Sequence, residues 1–128
     1  MLNKSTTTTM LPVSDMDRAS AFYADKLGLT RMAITADGSV IFETGAGAIG
    51  LMAAEPGAQS AHTALSFEVS DITAEIRDLE ARGVAFEDYD LPNLKTVYHI
   101  AVMGNEKAAW FCDPEGNILC IHQVTADG

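Results

Sequence analysis

Basic side chains are scarce in this chain. Eight Lys and Arg stand against 18 Asp and Glu, giving a formal net charge of −10 and an isoelectric point near 4.4. Binding nucleic acid requires clustered cations to neutralise phosphates. The eight here are scattered, so nucleic acid is not expected as a partner. An acidic surface is compatible with a cationic or polar ligand, and more simply with solubility. Long apolar runs are also missing, so no segment is expected to span a bilayer. Met1 to Thr9 carries one Lys and a run of Thr but no apolar stretch, so no secretory leader is expected and the expected location is cytoplasmic. The chain has only two cysteines, Cys112 and Cys120, which flank a turn. A closed hairpin would bring them near each other, but a chain of the cytosol keeps such residues as thiols.

What is present argues for a folded globular chain. Apolar residues make up 48% and charged residues 20% of the 128, which excludes global disorder. The length suits one ordinary domain or two small modules sharing a core.

The second possibility is favoured by an internal repeat, which has to be recognised before any fold assignment. Thr8-Thr9-Met10-Leu11-Pro12-Val13-Ser14-Asp15 leads into a helical pattern that ends at Leu27-Gly28. Ala64-Leu65-Ser66-Phe67-Glu68-Val69-Ser70-Asp71 leads into another that ends at Arg82-Gly83. Asp15 and Asp71 are 56 positions apart, and Gly28 and Gly83 are 55 apart. In each half a strand meets a capping Asp, an amphipathic helix follows, and a Gly stops it.

In the first half, Met16, Ala19, Phe22, Tyr23 and Leu27 recur at helical spacing. Strand patterns follow at Thr30–Ala36, Ser39–Thr44 and Ala48–Ala53, with a hairpin signal at Asp37-Gly38. In the second half a strand is expected at about His62–Val69. The helix after Asp71 buries Ile72, Ile76 and Leu79, and strands are expected at Val84–Glu87, His99–Met103, Ala108–Cys112 and Ile118–His122. Tyr89 to Val97 reads as irregular, since Pro92 bars a central strand there. The expected fold class is α+β. Two βαβββ modules would form a curved mixed sheet around a concave cavity, with the helices outside. Module 1 spans about 6–54, a linker about 55–61, and module 2 about 62–124.

Three segments carry a family resemblance. They are Leu11-Pro12-Val13-Ser14-Asp15 through Leu27-Gly28, Phe67-Glu68-Val69-Ser70-Asp71 through Arg82-Gly83-Val84, and Ala109-Trp110-Phe111-Cys112-Asp113-Pro114-Glu115-Gly116-Asn117. In this order and spacing they resemble the vicinal oxygen chelate superfamily of glyoxalases, bleomycin-resistance proteins and dioxygenases. The resemblance runs from about Thr8 to Gln123. It implies that metal-using members hold a divalent ion with His on the first strand of a module and Glu on the last. Carried over, the first-strand positions are Thr8 and Ala64. The last-strand positions, four residues after Gly47 and Gly116, are Leu51 and Cys120. A catalytic ion needs about three converging ligands, and Thr, Ala, Leu and Cys do not supply them. No metal and no cofactor are therefore expected.

Other candidate ligand contacts follow from strand faces and loops. His62 shares a face with Ala64, and His122 shares one with Cys120. Parallel strands would hold the two imidazoles roughly 13 Å apart, at about 3.3 Å per residue, whereas antiparallel strands would bring them together. Cys120 with His122 suggests a thiol with a base nearby, or simply a buried small residue beside a histidine. Tyr98 and His99 end a segment that either folds over the cavity mouth or forms an edge strand with a bulge. Trp110 either lines the cavity, where it would stack a flat or cationic ligand, or belongs to the core. Met10, Leu51, Ala64 and Cys120 should all point into the concave face, making a largely apolar pocket with Thr8. The expected function is metal-independent binding of a small molecule, by a homodimer, with no catalytic residue assigned. The alternatives are a glyoxalase-like lyase or isomerase with a non-standard site, and a non-catalytic accessory domain.

Overall fold

The structure is a computed structural model and describes residues 1–125. It divides into two compact units. One comprises Met1–Gln59 with the turn Pro114–Asn117, and the other comprises residues 60–113 with 118–125. The fold is α+β, with one open four-stranded mixed sheet and one main helix in each unit.

In the first unit, β1 (Thr8–Val13) leads to α1 (Met16–Ala21), which continues as a π-helical turn at Phe22–Lys26. β2 (Thr30–Ile34), β3 (Val40–Glu43) and β4 (Ala48–Ala53) follow, and the sheet order is β1-β4-β3-β2. β1 and β4 are parallel, as a crossover through a helix requires, and the other pairs are antiparallel. Asp15 caps α1 by accepting from the Arg18 N–H at 3.1 Å. The Leu27 N–H donates to the Phe22 carbonyl five residues back, which widens the final turn. Gly28 then leaves the helix at φ 71°, a left-handed conformation open to glycine without steric cost. The buried face of the sheet carries Leu11, Val13, Phe42, Ile49 and Leu51, and Tyr23 of the helix lies 6.0 Å from the Phe42 ring. The Asp37-Gly38 hairpin forms as its sequence predicts. Thr35 Oγ1 donates to Asp37, and Gly38 takes a φ of 87°.

Glu115, in the turn grouped with this unit, caps the entry to α1. Its carboxylate accepts from the N–H groups of Ser14 at 2.7 Å and Asp15 at 2.9 Å, from Ser14 Oγ at 2.8 Å, and from Arg18 at 3.1 Å. These donors, the Ser14 backbone foremost, hold its acidity at a pKa of about 2, well below the ordinary 4.5.

The second unit repeats the topology. β5 (Thr63–Glu68) leads to α2 (Ile72–Ala81), capped by Asp71 accepting from the Ala74 N–H at 3.1 Å. After a small hairpin, β6 (Asp90–Leu91) with β7 (Leu94–Lys95), come β8 (Ala101–Met103), β9 (Glu106–Cys112) and β10 (Ile118–Val124). The order is β5-β10-β9-β8, the same as in the first unit. Ile72, Ile76 and Leu79 of α2 are buried, as are Phe111, Leu119 and Ile121 of the sheet.

One expected strand is not formed. Val84–Glu87 contributes only a single antiparallel bridge, Phe86 to Phe111, and a hydrogen bond from the Glu87 N–H to the Trp110 carbonyl at 2.8 Å. β8 pairs with the other end of β9, at Glu106 to Ala108. The outer edge of this sheet is therefore shared by two pieces of chain, with the segment around Pro92 between them. That segment, read as irregular, forms the β6–β7 hairpin around Pro92-Asn93.

Candidate functional site

The face of the second sheet that carries Ser66 and Trp110 holds a cavity of about 320 Å³. Its residues come from all four strands of the sheet, brought together by register. Cys120 pairs with Ser66 on one side and Trp110 on the other, and His122 pairs with Glu68 and Ala108. Side chains directly opposite across a ladder lie on the same face, so all six residues share it. Thr63, Met103 and Glu106 complete the lining.

The polar groups here are paired with one another. Ser66 Oγ lies 2.5 Å from His122 Nδ1, and His122 Nε2 lies 3.7 Å from a Glu68 carboxylate oxygen. The Trp110 indole N–H donates to Thr63 Oγ1 at 3.1 Å. Tyr89 meets the Trp110 ring edge-on, with centroids 5.6 Å apart, and burial pushes the Tyr89 hydroxyl pKa up. Cys120 is buried and free, its thiol within 3.4 Å of the Ile121 carbonyl, and burial is the main cause of its raised pKa. Cys112 is also a free thiol with its pKa raised by burial.

Of the residues expected from sequence, Trp110, Cys120 and His122 line this cavity, whereas Ala64 is the extra residue where the register of β5 against β10 shifts between Thr63 and Leu65. His62 precedes β5, with its ring nitrogen near the Thr63 carbonyl. β5 and β10 are parallel and His122 pairs with Glu68, six positions beyond His62. The two imidazoles are therefore separated by about 20 Å of strand at 3.3 Å per residue.

Leu51 lies on the opposite face from the one expected. It pairs with Leu11 and is wholly buried in the core of the first unit. The residue opposite Met10 is Gly50. Met10 and Ser66 are equivalent under the 56-residue repeat, and Cys120 pairs with Ser66, so Gly50 is the counterpart of Cys120. Counting from Gly47 misplaces the position by one residue, and in a strand one residue reverses the face. Thr8 and Met10 lie on the open face of the first unit's sheet.

Tyr98 and His99 do not reach the Trp110 cavity. Both adopt left-handed backbone, φ 53° and 72°, which is costly for residues with a side chain. The turn they make lines a separate cavity of about 500 Å³ against α2, with Ile76, Arg77 and Glu80. His99 is held there between Asp88 at 3.0 Å and Glu80 at 3.4 Å, with Phe86 alongside.

Ser66, Thr63, Met103, Glu106 and Glu68 were not singled out from sequence. A signal for two of them existed, because Ser66 and Glu68 are two positions apart and share one strand face. Among the described residues, no group of three or more His, Cys, Asp or Glu side chains is placed to hold a metal ion.

Paired modules of one strand, one helix and an open mixed sheet, repeated with the same strand order, define the class of protein. The chain belongs to the Glyoxalase/Bleomycin resistance protein/Dioxygenase superfamily, whose family model matches residues 6–121. Similar solved structures include a variant of the genomically encoded fosfomycin resistance protein FosX from Listeria monocytogenes, bound to Mn(II) and 1S,2S-dihydroxypropylphosphonic acid. It is 15% identical with a TM-score of 0.71, and the match covers 99% of this chain and 94% of that one. Another is lactoylglutathione lyase from Agrobacterium tumefaciens, at 21% identity and a TM-score of 0.66, covering 94% and 93%. A third is a glyoxalase/bleomycin resistance protein/dioxygenase from Nocardioides, at 20% identity and a TM-score of 0.69, covering 97% and 85%. At these identities the likeness establishes the fold. No protein of curated function matches the chain.

Proposed function

We propose that this chain is a metal-independent small-molecule binding protein of the glyoxalase/bleomycin-resistance type, with its ligand on the open face of the second sheet. The observation that carries this reading is the cavity at Trp110, where an aromatic ring and the Met103 side chain adjoin the hydroxyls of Thr63 and Ser66 and the carboxylate of Glu106. Such a mixture, mostly apolar with a few convergent polar groups, suits a small ligand. An indole face beside a carboxylate favours a cationic or polar one.

The residues at the family's ligand positions support the metal-free reading. Thr8, Gly50, Ala64 and Cys120 supply one good ligand among them, a buried thiol whose pKa burial raises. The Mn(II) site of FosX belongs to FosX and is not carried over to these side chains. The proposal includes a homodimer, since closed two-fold assemblies are the commonest oligomers, and a cytoplasmic location. No helix among the described residues is long and apolar enough to cross a membrane.

The test has two parts. Elemental analysis of purified protein is expected to find no stoichiometric metal. Titration with a panel of cationic and polar aromatic compounds is expected to quench Trp110 fluorescence saturably. Stoichiometric Zn, Ni, Mn or Fe, with lactoylglutathione formed from methylglyoxal and glutathione, would overturn the reading.

A further inference from the structure

The same cavity carries an arrangement that simple binding does not need. Ser66 is exposed on β5, and its hydroxyl oxygen lies 2.5 Å from His122 Nδ1. The other ring nitrogen of His122 faces Glu68 at 3.7 Å. A serine hydroxyl is a weak nucleophile until a base touches it and a third group orients that base. Here the three are assembled by the parallel pairing of β5 with β10, which sets His122 beside Glu68 and one alternation from Ser66.

We propose that Ser66 is a nucleophile that accepts the acyl group of a small ester, with His122 as its base and Glu68 as the carboxylate facing the imidazolium. This proposal rests on the reading of the cavity as a ligand site. In the Nε2–H tautomer, His122 Nδ1 accepts the Ser66 proton as Oγ bonds to the ester carbonyl carbon. The carbon–oxygen bond to the alcohol then breaks, and the alcohol leaves with the proton from His122. Water attacks the acyl-serine with its proton passing to His122 Nδ1, and that proton returns to Ser66 Oγ as the carboxylic acid departs. No oxidant or reductant enters. Trp110 offers a flat surface to an aromatic leaving group. Cys120 is the competing nucleophile in the cavity, but its sulfur is buried and its thiol lies against the Ile121 carbonyl.

The experiment uses a fluorophosphonate, which loses fluoride to a serine and forms a bond that water breaks slowly, together with p-nitrophenyl acetate for the rate. The expected result is one phosphonyl group per chain, mapped by peptide mass spectrometry to Ser66, and release of p-nitrophenolate. Ser66→Ala is expected to abolish both, and His122→Gln to slow both by about 100-fold or more. Circular dichroism checks that each variant is folded. No adduct on the folded wild type, an adduct on Cys120 or a lysine, or an unchanged rate in His122→Gln would overturn the proposal. Its failure is separable from that of the binding reading, because quenching of Trp110 by a bound ligand needs no covalent step. Quenching without labelling sinks only the nucleophile.

Discussion

The side chain of Met10 fills the place where Gly50 has none. A Cβ built on Gly50 would lie 2.6 Å from the Met10 sulfur and 2.8 Å from its methyl group, with Ile41 Cδ1 at 3.0 Å. In the repeat, the equivalent pair in the second sheet is Ser66 and Cys120. There a small hydroxyl leaves open a cavity, whereas in the first sheet a flexible thioether occupies the glycine.

Adding a methyl at Gly50 is therefore expected to be tolerated, since the crowding atoms are the far end of a mobile side chain. Gly50→Ala should change unfolding free energy by about 1 kcal/mol or less, with the gain from removing a strand glycine offsetting the contact. Gly50→Val should cost roughly 1–3 kcal/mol. Much of that cost should vanish against a Met10→Ala background, seen as a coupling energy in a double-mutant cycle from urea unfolding.

Glu115 makes the first unit sensitive to acid. Its folded pKa, about 2, lies below the ordinary 4.5. The group's contribution is therefore fully present above pH 4.5 and lost as the pH falls toward 2. The side chain is only 3% exposed, so the contribution amounts to at most about 3 kcal/mol. Stability of the wild type measured at pH 6, 4 and 3 should fall more steeply than that of Glu115→Gln. Parallel curves would show that the carboxylate contributes nothing through its charge.

The Trp110 indole depends on one acceptor, Thr63 Oγ1. Thr63→Val keeps the shape and removes the oxygen. It is expected to cost about 1 kcal/mol and to shift Trp110 emission. Thr63→Ser should match the wild type in both measurements.

The two capping aspartates should behave alike, because each accepts from the backbone N–H three residues on, both at 3.1 Å. Asp15→Ala and Asp71→Ala are each expected to lose about 1 kcal/mol, and the Asn variants to recover most of it. Thermal or urea unfolding of the four variants checks the symmetry.

The amino-acid order by itself determined what is local. The 56-residue repeat, the two capped helices, the stops at Gly28 and Gly83 and the Asp37-Gly38 hairpin are written in neighbouring residues, and each forms. Cys120 and His122 could be placed together in advance because alternation along a strand shows which residues share a face, whereas Trp110 stood open between cavity and core until its pairing with Cys120 set its side. Tertiary structure decided the rest. Leu51 turned to the core and Gly50 took its place because a strand's face depends on a register set by its partner. Tyr98 and His99 went to α2 because Asp88 and Glu80 hold the imidazole there. The meeting of Ser66 with His122, 56 positions apart, exists only through the pairing of β5 with β10. Side chains from distant segments converge through such long-range ladders, and no short-range pattern encodes them.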